Sequence, residues 1–141
     1  MPDGTKNAGA VSIPSSEGPQ DGIWDWDVPS NTIYLSPRHK ELLGYEDHEI
    51  SDSVEGWLGL IHPEDLQVHK TAMTAHLKGV LDYYEAELRL RRKDGTWSWC
   101  FVRGRGVRDE SGRVCRMVGA ASDISHRKEI EDAGVDAEAR A

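Results

Sequence analysis

Apolar and polar residues alternate most regularly in the C-terminal half of the chain, where the pattern predicts three consecutive strands. Over residues 85–92 the apolar residues occupy every second position, as in a strand with one buried face. Lys93-Asp94-Gly95 predicts a tight turn, because glycine adopts the positive φ that short turns need. A second strand follows over residues 97–107, and a turn at residues 109–112 leads into a third over residues 113–124.

The pairing across the first hairpin sets the two faces of this sheet. With a three-residue turn, we expect Leu90 to pair with Cys100 and Leu88 with Val102. The face predicted to be buried consists of Ala86, Leu88, Leu90, Cys100, Val102, Gly104, Met117, Gly119 and Ala121. The opposite face carries Trp97, Trp99 and Phe101, which is more apolar surface than a solvated sheet face needs. We therefore expect both faces to be covered.

Two short strands are predicted near the N-terminus. Over residues 22–27, Trp24 and Trp26 alternate with aspartates, so both indoles lie on one face of a strand. Residues 32–35 form the returning strand, and Val28-Pro29-Ser30-Asn31 is the turn between them. The two tryptophans either fill the core or stack on a planar ligand.

Helices are predicted between these strands and the C-terminal sheet. Ser36 and Pro37 are a typical helix start, with the serine as N-cap and the proline in the first turn. Leu43-Gly44 ends this helix, residues 45–60 predict short helices, and a longer helix begins at residue 61 and runs to about residue 78. The predicted order of elements is therefore two strands, a helical region and three more strands.

Seven short motifs stand in the order and spacing of a PAS domain. They are Asp21-Gly22-Ile23-Trp24-Asp25-Trp26-Asp27, Ser36-Pro37, Leu43-Gly44-Tyr45, His62-Pro63-Glu64-Asp65, Arg91-Arg92-Lys93-Asp94-Gly95, Asp109-Glu110-Ser111-Gly112 and Asp123-Ile124-Ser125. The chain resembles the PAS/PAC sensor domains of bacterial sensor kinases and cyclic-dinucleotide signalling proteins. The resemblance implies an α+β fold with a five-stranded antiparallel sheet, in the order 2-1-5-4-3, and several helices covering one face. The expected PAS domain spans residues 21–125, after a disordered leader over residues 1–20 and before a helical linker or tail over residues 126–141.

The resemblance implies a module for signal transduction, and two functions remain open. In the first, the face formed by Trp97, Trp99 and Phe101 binds a second PAS domain or the linker helix, and the signal passes through Asp123 and Ile124. In the second, a small molecule occupies an internal pocket. The pocket candidates are Trp24, Trp26, Leu88, Leu90, Cys100, Val102, Met117, Gly119 and Ala121.

Asp123 also resembles the family's acidic residue that pairs with a base near the hairpin turn, and Arg92 and Lys93 are the candidate bases. The sequence contains no phosphate-binding glycine loop and no His-Glu-x-x-His motif, so we expect no enzyme activity in this domain. Any catalysis would lie in a linked effector, such as a histidine kinase or a diguanylate cyclase.

Haem and flavin are the cofactors that the resemblance raises. His69 and His76 share one face of the long helix, and an axial haem ligand comes from this region in haem-binding PAS sensors, but the other haem-pocket residues do not match. The light-sensing LOV subclass uses a cysteine in the helical region and a glutamine near the end of the last strand. This chain has no cysteine before Cys100, and Ala121 stands at the glutamine position. We expect no LOV photochemistry and no bound cofactor.

Composition and charge limit the classes of partner that this chain is expected to bind. The 141 residues fit one domain, and the net charge of −8 disfavours a nucleic-acid or anionic-membrane surface. Cys100 is expected to lie opposite Ala121 and far from Cys115, and two free thiols indicate a reducing cytoplasm. No signal peptide or membrane-spanning apolar run occurs in the sequence. The predicted partners are a second PAS domain, in a homodimer, or a linked effector domain.

Overall fold

A computed structural model describes residues 21–140, with side chains described as far as residue 132. Five strands form one antiparallel sheet in the order β2-β1-β5-β4-β3, which confirms the predicted topology. The strands are β1 (Gly22–Asp27), β2 (Thr32–Leu35), β3 (Tyr84–Arg91), β4 (Trp97–Arg108) and β5 (Val114–Asp123). The expected disordered leader over residues 1–20 lies outside the described residues.

Four α-helices accompany the sheet within the described part of the chain. They are α1 (Pro37–Leu42), α2 (Val54–Leu58), α3 (Leu66–Leu77) and α4 (Ser125–Arg140), with short 3₁₀ helices at Asp47–Glu49 and Pro63–Asp65. The Ser36 hydroxyl accepts a hydrogen bond from the backbone N–H of His39 at 3.2 Å, which confirms the predicted N-cap. The long helix begins later than predicted, because the residues after His62 first form a 3₁₀ turn. No helix in the described residues is both long and apolar enough to cross a bilayer.

The β3–β4 hairpin pairs two residues away from the predicted register. In place of Leu90–Cys100 and Leu88–Val102, the observed pairs are Leu90–Ser98 and Leu88–Cys100. The turn has three residues, as predicted, and Gly95 has φ +91°. The residue opposite Arg92 is therefore Thr96, whose carbonyl accepts the Arg92 N–H at 2.7 Å. A shift of two keeps every side chain on its predicted face, because side chains alternate with a period of two.

The β4–β5 ladder also differs from its predicted register by two, and it has a β-bulge between Val107 and Arg108. Cys100 pairs with Asp123 and not with the predicted Ala121, which lies opposite Val102. Cys100 and Cys115 are both free thiols, as expected. Burial raises the pKa of the Cys100 thiol to about 12, so this cysteine is protonated and unreactive at neutral pH.

The core lies between the inner face of the sheet and helices α1 to α3. Every residue of the predicted buried face is buried: Ala86, Leu88, Leu90, Cys100, Val102, Gly104, Met117, Gly119 and Ala121. The Trp24 indole packs against Gly104 and Gly119, which are paired across β4 and β5. A Cβ atom on Gly104 would come within 2.5 Å of Trp24 Cη2, and one on Gly119 within 2.4 Å of Cζ2. These two glycines therefore make the space that the indole occupies.

Candidate functional site

A small cavity lies in the core between the sheet and the helices. Its volume is about 60 Å³, whereas pockets that hold small-molecule ligands typically measure about 300–1,000 Å³. Its lining consists of Trp24, Trp26, Ile33, Leu35, Val54, Trp57, Leu58, His69, Met73, Tyr84 and Val102. A haem or a flavin would fit here only if several of these side chains moved.

Three of the predicted pocket residues line this cavity, namely Trp24, Trp26 and Val102. The other six are buried in the core but do not line the cavity: Leu88, Leu90, Cys100, Met117, Gly119 and Ala121. The helical wall of the cavity was missed in the sequence. It is formed by residues of α2 and α3, including Trp57 and Met73. The one available signal was the large aromatic residue Trp57 among other apolar residues of the region predicted as short helices.

A row of aromatic rings runs along one side of the cavity. The centroids of Trp57 and His69 are 6.3 Å apart, those of His69 and Tyr84 are 5.5 Å apart, and those of Tyr84 and Trp24 are 6.3 Å apart, all with edge-to-face geometry. His69 Nδ1 lies 2.8 Å from the Tyr84 hydroxyl. Burial lowers the pKa of His69 to about 4 and raises that of Tyr84, so both groups are neutral at pH 7. This pair is the polar feature of a mainly apolar wall.

The two histidines considered as haem ligands have structural contacts. His76 Nδ1 lies 2.9 Å from the Leu81 carbonyl, and its Nε2 lies 2.9 Å from the Gly106 backbone nitrogen. Because Gly106 can only donate, Nε2 is the acceptor and Nδ1 carries the proton, which leaves no lone pair for iron. His69 faces a cavity far smaller than a haem. Within the described residues, no three metal-ligating side chains come together.

The outer face of the sheet carries the predicted aromatic residues. Trp97 is 36 % exposed, and Trp99 and Phe101 are half-buried. Trp99 has two cations near its ring: Arg89 Cζ lies 5.1 Å and Lys128 Nζ lies 4.7 Å from the ring centroid. We call Trp97, Trp99 and Phe101 the aromatic face.

Helix α4 is attached to the sheet at Trp99. The Ser125 hydroxyl accepts the Trp99 backbone N–H at 3.1 Å, and the Ile124 N–H donates to the Trp99 carbonyl at 2.9 Å. Glu87 on β3 forms ion pairs with Arg127 and, at 2.7 Å, with Lys128. The hydrogen bond from Lys128 is the main cause that lowers the pKa of Glu87. Backbone and charged contacts therefore fix the first turns of α4 against β3 and β4.

The expected ion pair of Asp123 with Arg92 or Lys93 is wrong. Asp123 Oδ1 accepts the Ser125 backbone N–H at 2.9 Å and so caps α4. Arg92 donates to the Trp97 carbonyl at 2.9 Å, and Lys93 forms an ion pair of 2.7 Å with Glu49. The carboxylate at the end of β5 thus acts on the start of α4 and not on the hairpin turn.

A sequence model of the PAS fold family matches residues 32–121, and the chain belongs to this family. A sensory box histidine kinase/response regulator from Burkholderia thailandensis has a solved structure that is 36 % identical, with a TM-score of 0.76 over 87 % of this chain and 91 % of that one. The N-terminal domain of a diguanylate cyclase with PAS/PAC sensor from Marinobacter aquaeolei is 30 % identical, with a TM-score of 0.68 over 77 % of this chain and 98 % of that one.

A curated relative, the methyl sulfide methyltransferase-associated sensor of Methanosarcina acetivorans, is 28 % identical over 90 residues, which make up 64 % of this chain and 9 % of that sensor. The chain spans 14 % or less of the curated relatives that it matches. Fold and relatives together define the class as a PAS sensor domain of signalling proteins.

Proposed function

We propose that this domain relays a signal through its aromatic face and α4 to a linked effector or to a second PAS domain. The observation that carries the proposal is the attachment of α4 at Trp99, where a hydroxyl, a backbone N–H and a cation all contact one residue. The same residue belongs to the aromatic face, on which a partner would dock. Docking there and attachment of α4 are therefore coupled, because they share Trp99.

Apart from the two hydrogen bonds at Trp99, which contribute about 0.5–1.5 kcal/mol each, the contacts that hold α4 are weak enough to be switched. The Glu87 side chain is 38 % exposed, and ion pairs at such positions contribute roughly 0–1 kcal/mol each. The Lys128 contact with Trp99 adds about 0.5–1 kcal/mol. Helix α4 is itself polar, and polar helices of this length have little stability in water on their own. A partner with a modest preference for one state would shift α4 between attached and released positions.

Replacing Glu87 by glutamine tests the relay, because it removes both ion pairs and keeps the shape of the side chain. We expect amide hydrogen exchange over residues 125–130 to become about fivefold faster, the effect of losing roughly 1 kcal/mol. Glu85→Gln is the matched control, since Glu85 is an exposed carboxylate of the same strand and sheet face. Equal exchange in Glu87→Gln and the native protein would refute the relay.

A second candidate function is a small-molecule sensor, and the His69–Tyr84 pair on the cavity wall favours it. A neutral imidazole and a phenol can together donate and accept one hydrogen bond to a ligand. A native mass spectrum and an absorbance scan of protein purified from its host would detect such a ligand. An added mass or a visible band supports the sensor, whereas an apo mass supports the relay.

We further infer that catalysis belongs to a linked effector, as the names of the kinase and cyclase relatives suggest for those proteins. In this proposal the PAS domain occupies residues 21–125, and the linker begins at residue 126. The domain acts in the cytoplasm, and the aromatic face supports a homodimer.

A further inference from the structure

A second and larger depression lies on the surface, between the end of α3 and the turn that joins β4 to β5. Its volume is about 440 Å³, which falls within the range of about 300–1,000 Å³ found for small-molecule sites. One wall is apolar, and the rim is cationic. The residues that the argument uses are Trp26, Val28, Leu77, Val114, Arg108 and Arg113. We call this depression the hairpin groove.

The side chains that line the hairpin groove carry positive charge although the chain has a net charge of −8. Of the described residues that line the groove, two are arginines and none is a carboxylate. Arg108 is held in place, since Nη1 donates to the Gly112 carbonyl at 2.8 Å and Nη2 to the Leu77 carbonyl at 3.3 Å. Asp109 lies in the same turn but does not line the groove, and its Oδ1 accepts hydrogen bonds from the hydroxyl and backbone N–H of Ser111 and from the backbone N–H of Arg113. The hydrogen bond from Ser111 is the main cause that lowers the pKa of Asp109, and the nearby charge of Arg113 adds to it.

Arg113 is the cation that remains available. It is exposed, and its side chain makes no hydrogen bond or ion pair with the residues that the structure describes. A guanidinium group presents a planar set of donors that matches the two oxygens of a carboxylate. The apolar wall opposite this cation suits a hydrocarbon or aromatic body. The two features together select an amphipathic anion.

Trp26 links the hairpin groove to the core. Its half-buried indole lines both the groove and the cavity of about 60 Å³. The indole is held by a long hydrogen bond, 3.4 Å from Nε1 to Asn31 Oδ1. A molecule that packs in the groove would therefore press on a side chain that also forms part of the cavity wall.

We propose that the hairpin groove binds a small organic carboxylate with an aromatic or branched apolar body. The body packs against Trp26 and Leu77, and the carboxylate pairs with the guanidinium of Arg113. This site lies outside the core cavity and shares no residue with the aromatic face, so it goes beyond the proposed relay.

Titration of the ¹⁵N-labelled protein with benzoate, followed by NMR, tests the proposal. The five tryptophans each contribute one indole N–H signal, and Trp26→Phe identifies the signal of Trp26. We expect this signal to shift saturably with benzoate. Benzamide, which has the same shape without the charge, should bind at least about fivefold more weakly, as expected for loss of an exposed ion pair.

Two matched variants locate the anion. Arg113→Gln should weaken benzoate binding at least about fivefold. Arg105→Gln should leave it unchanged, because Arg105 is an exposed arginine on the other sheet face, near the ring of Tyr83. No saturable shift of the Trp26 signal, equal binding of benzamide, or full affinity in Arg113→Gln would overturn the proposal. So would benzoate shifts confined to the signals of Trp57 and Trp24, which would place the ligand in the core cavity.

Discussion

Acid should destabilise this protein through His39, a histidine buried in α1. His39 is 1 % exposed, and neither of its ring nitrogens has a hydrogen-bond partner among the residues that the structure describes. The ring packs edge-to-face against Trp57, with centroids 6.1 Å apart, and directly against Gly22. Burial is the main cause that lowers the pKa of His39, to about 4. The folded protein therefore holds this imidazole neutral, while the unfolded chain protonates it at an ordinary pKa.

The sign of the effect follows from proton binding. Between pH 6.5 and about 4 the unfolded chain binds a proton at His39 that the folded protein does not bind, so the free energy of unfolding falls as the pH falls. The contribution of His39 to the free energy of unfolding is fully present above pH 6.5 and is lost progressively as the pH falls to about 4. One proton of difference corresponds to at most about 1.4 kcal/mol per pH unit. Near pH 5.5, where the difference is almost complete, we expect about 1.2 kcal/mol per pH unit from His39 alone.

Urea unfolding between pH 5 and 7, followed by tryptophan fluorescence, measures this slope. His39→Leu removes the buried imidazole, and we expect it to reduce the slope by about 1.2 kcal/mol per pH unit near pH 5.5. His48→Gln is the matched control, because the His48 side chain is 78 % exposed and leaves the core unchanged. The same slope in His39→Leu and the native protein would refute the reasoning. A folded His39→Leu variant is needed, and the fluorescence transition itself verifies it.

Two further predictions concern packing and assembly. Gly104→Ala places a methyl group within 2.5 Å of Trp24 and should lower the free energy of unfolding by about 1–3 kcal/mol in urea titrations. Gly59→Ala is the control: Gly59 has an ordinary helical φ of −68°, and the change should alter the free energy of unfolding by less than about 1 kcal/mol in either direction. Trp99→Asp should retain the fold and weaken self-association at least about tenfold, as measured by sedimentation equilibrium. Tyr34→Asp is the control and should leave self-association unchanged, although Tyr34 is a 50 % exposed aromatic residue on the same sheet face. An unfolded Trp99→Asp variant, or unchanged association, would contradict this use of the aromatic face.

The sequence by itself determined the elements and the two faces of the sheet. Side-chain direction in a strand depends only on the parity of the position, so Leu88 and Trp99 were placed on the correct faces although the register was wrong by two. Caps and turns are equally local. The Ser36 hydroxyl and the positive φ of Gly95 each act within a few residues, and both were predicted. The resemblance to PAS domains, which rests on the order of the seven motifs, then implied the topology of the sheet.

Contacts between distant segments were decided by the tertiary structure alone. The helical wall of the cavity includes Trp57 and Met73, whose positions depend on how α2 and α3 pack and not on any strand pattern. The ion pair expected for Asp123 also depended on a distant segment: Arg92 and Lys93 contact Trp97 and Glu49 instead. Asp123 makes a local cap with the N–H of Ser125, two residues along the chain.

The burial of His39 and the formation of the hairpin groove were also decided by the tertiary structure. Neither the exposure of a side chain nor the meeting of Trp26 with Arg113 follows from local sequence, because each depends on segments tens of residues apart. Local geometry sets directions along one element, whereas a cavity, a groove or a shifted pKa needs at least two elements packed together. The sequence therefore determined the fold and its faces, and the packing decided where chemistry is possible.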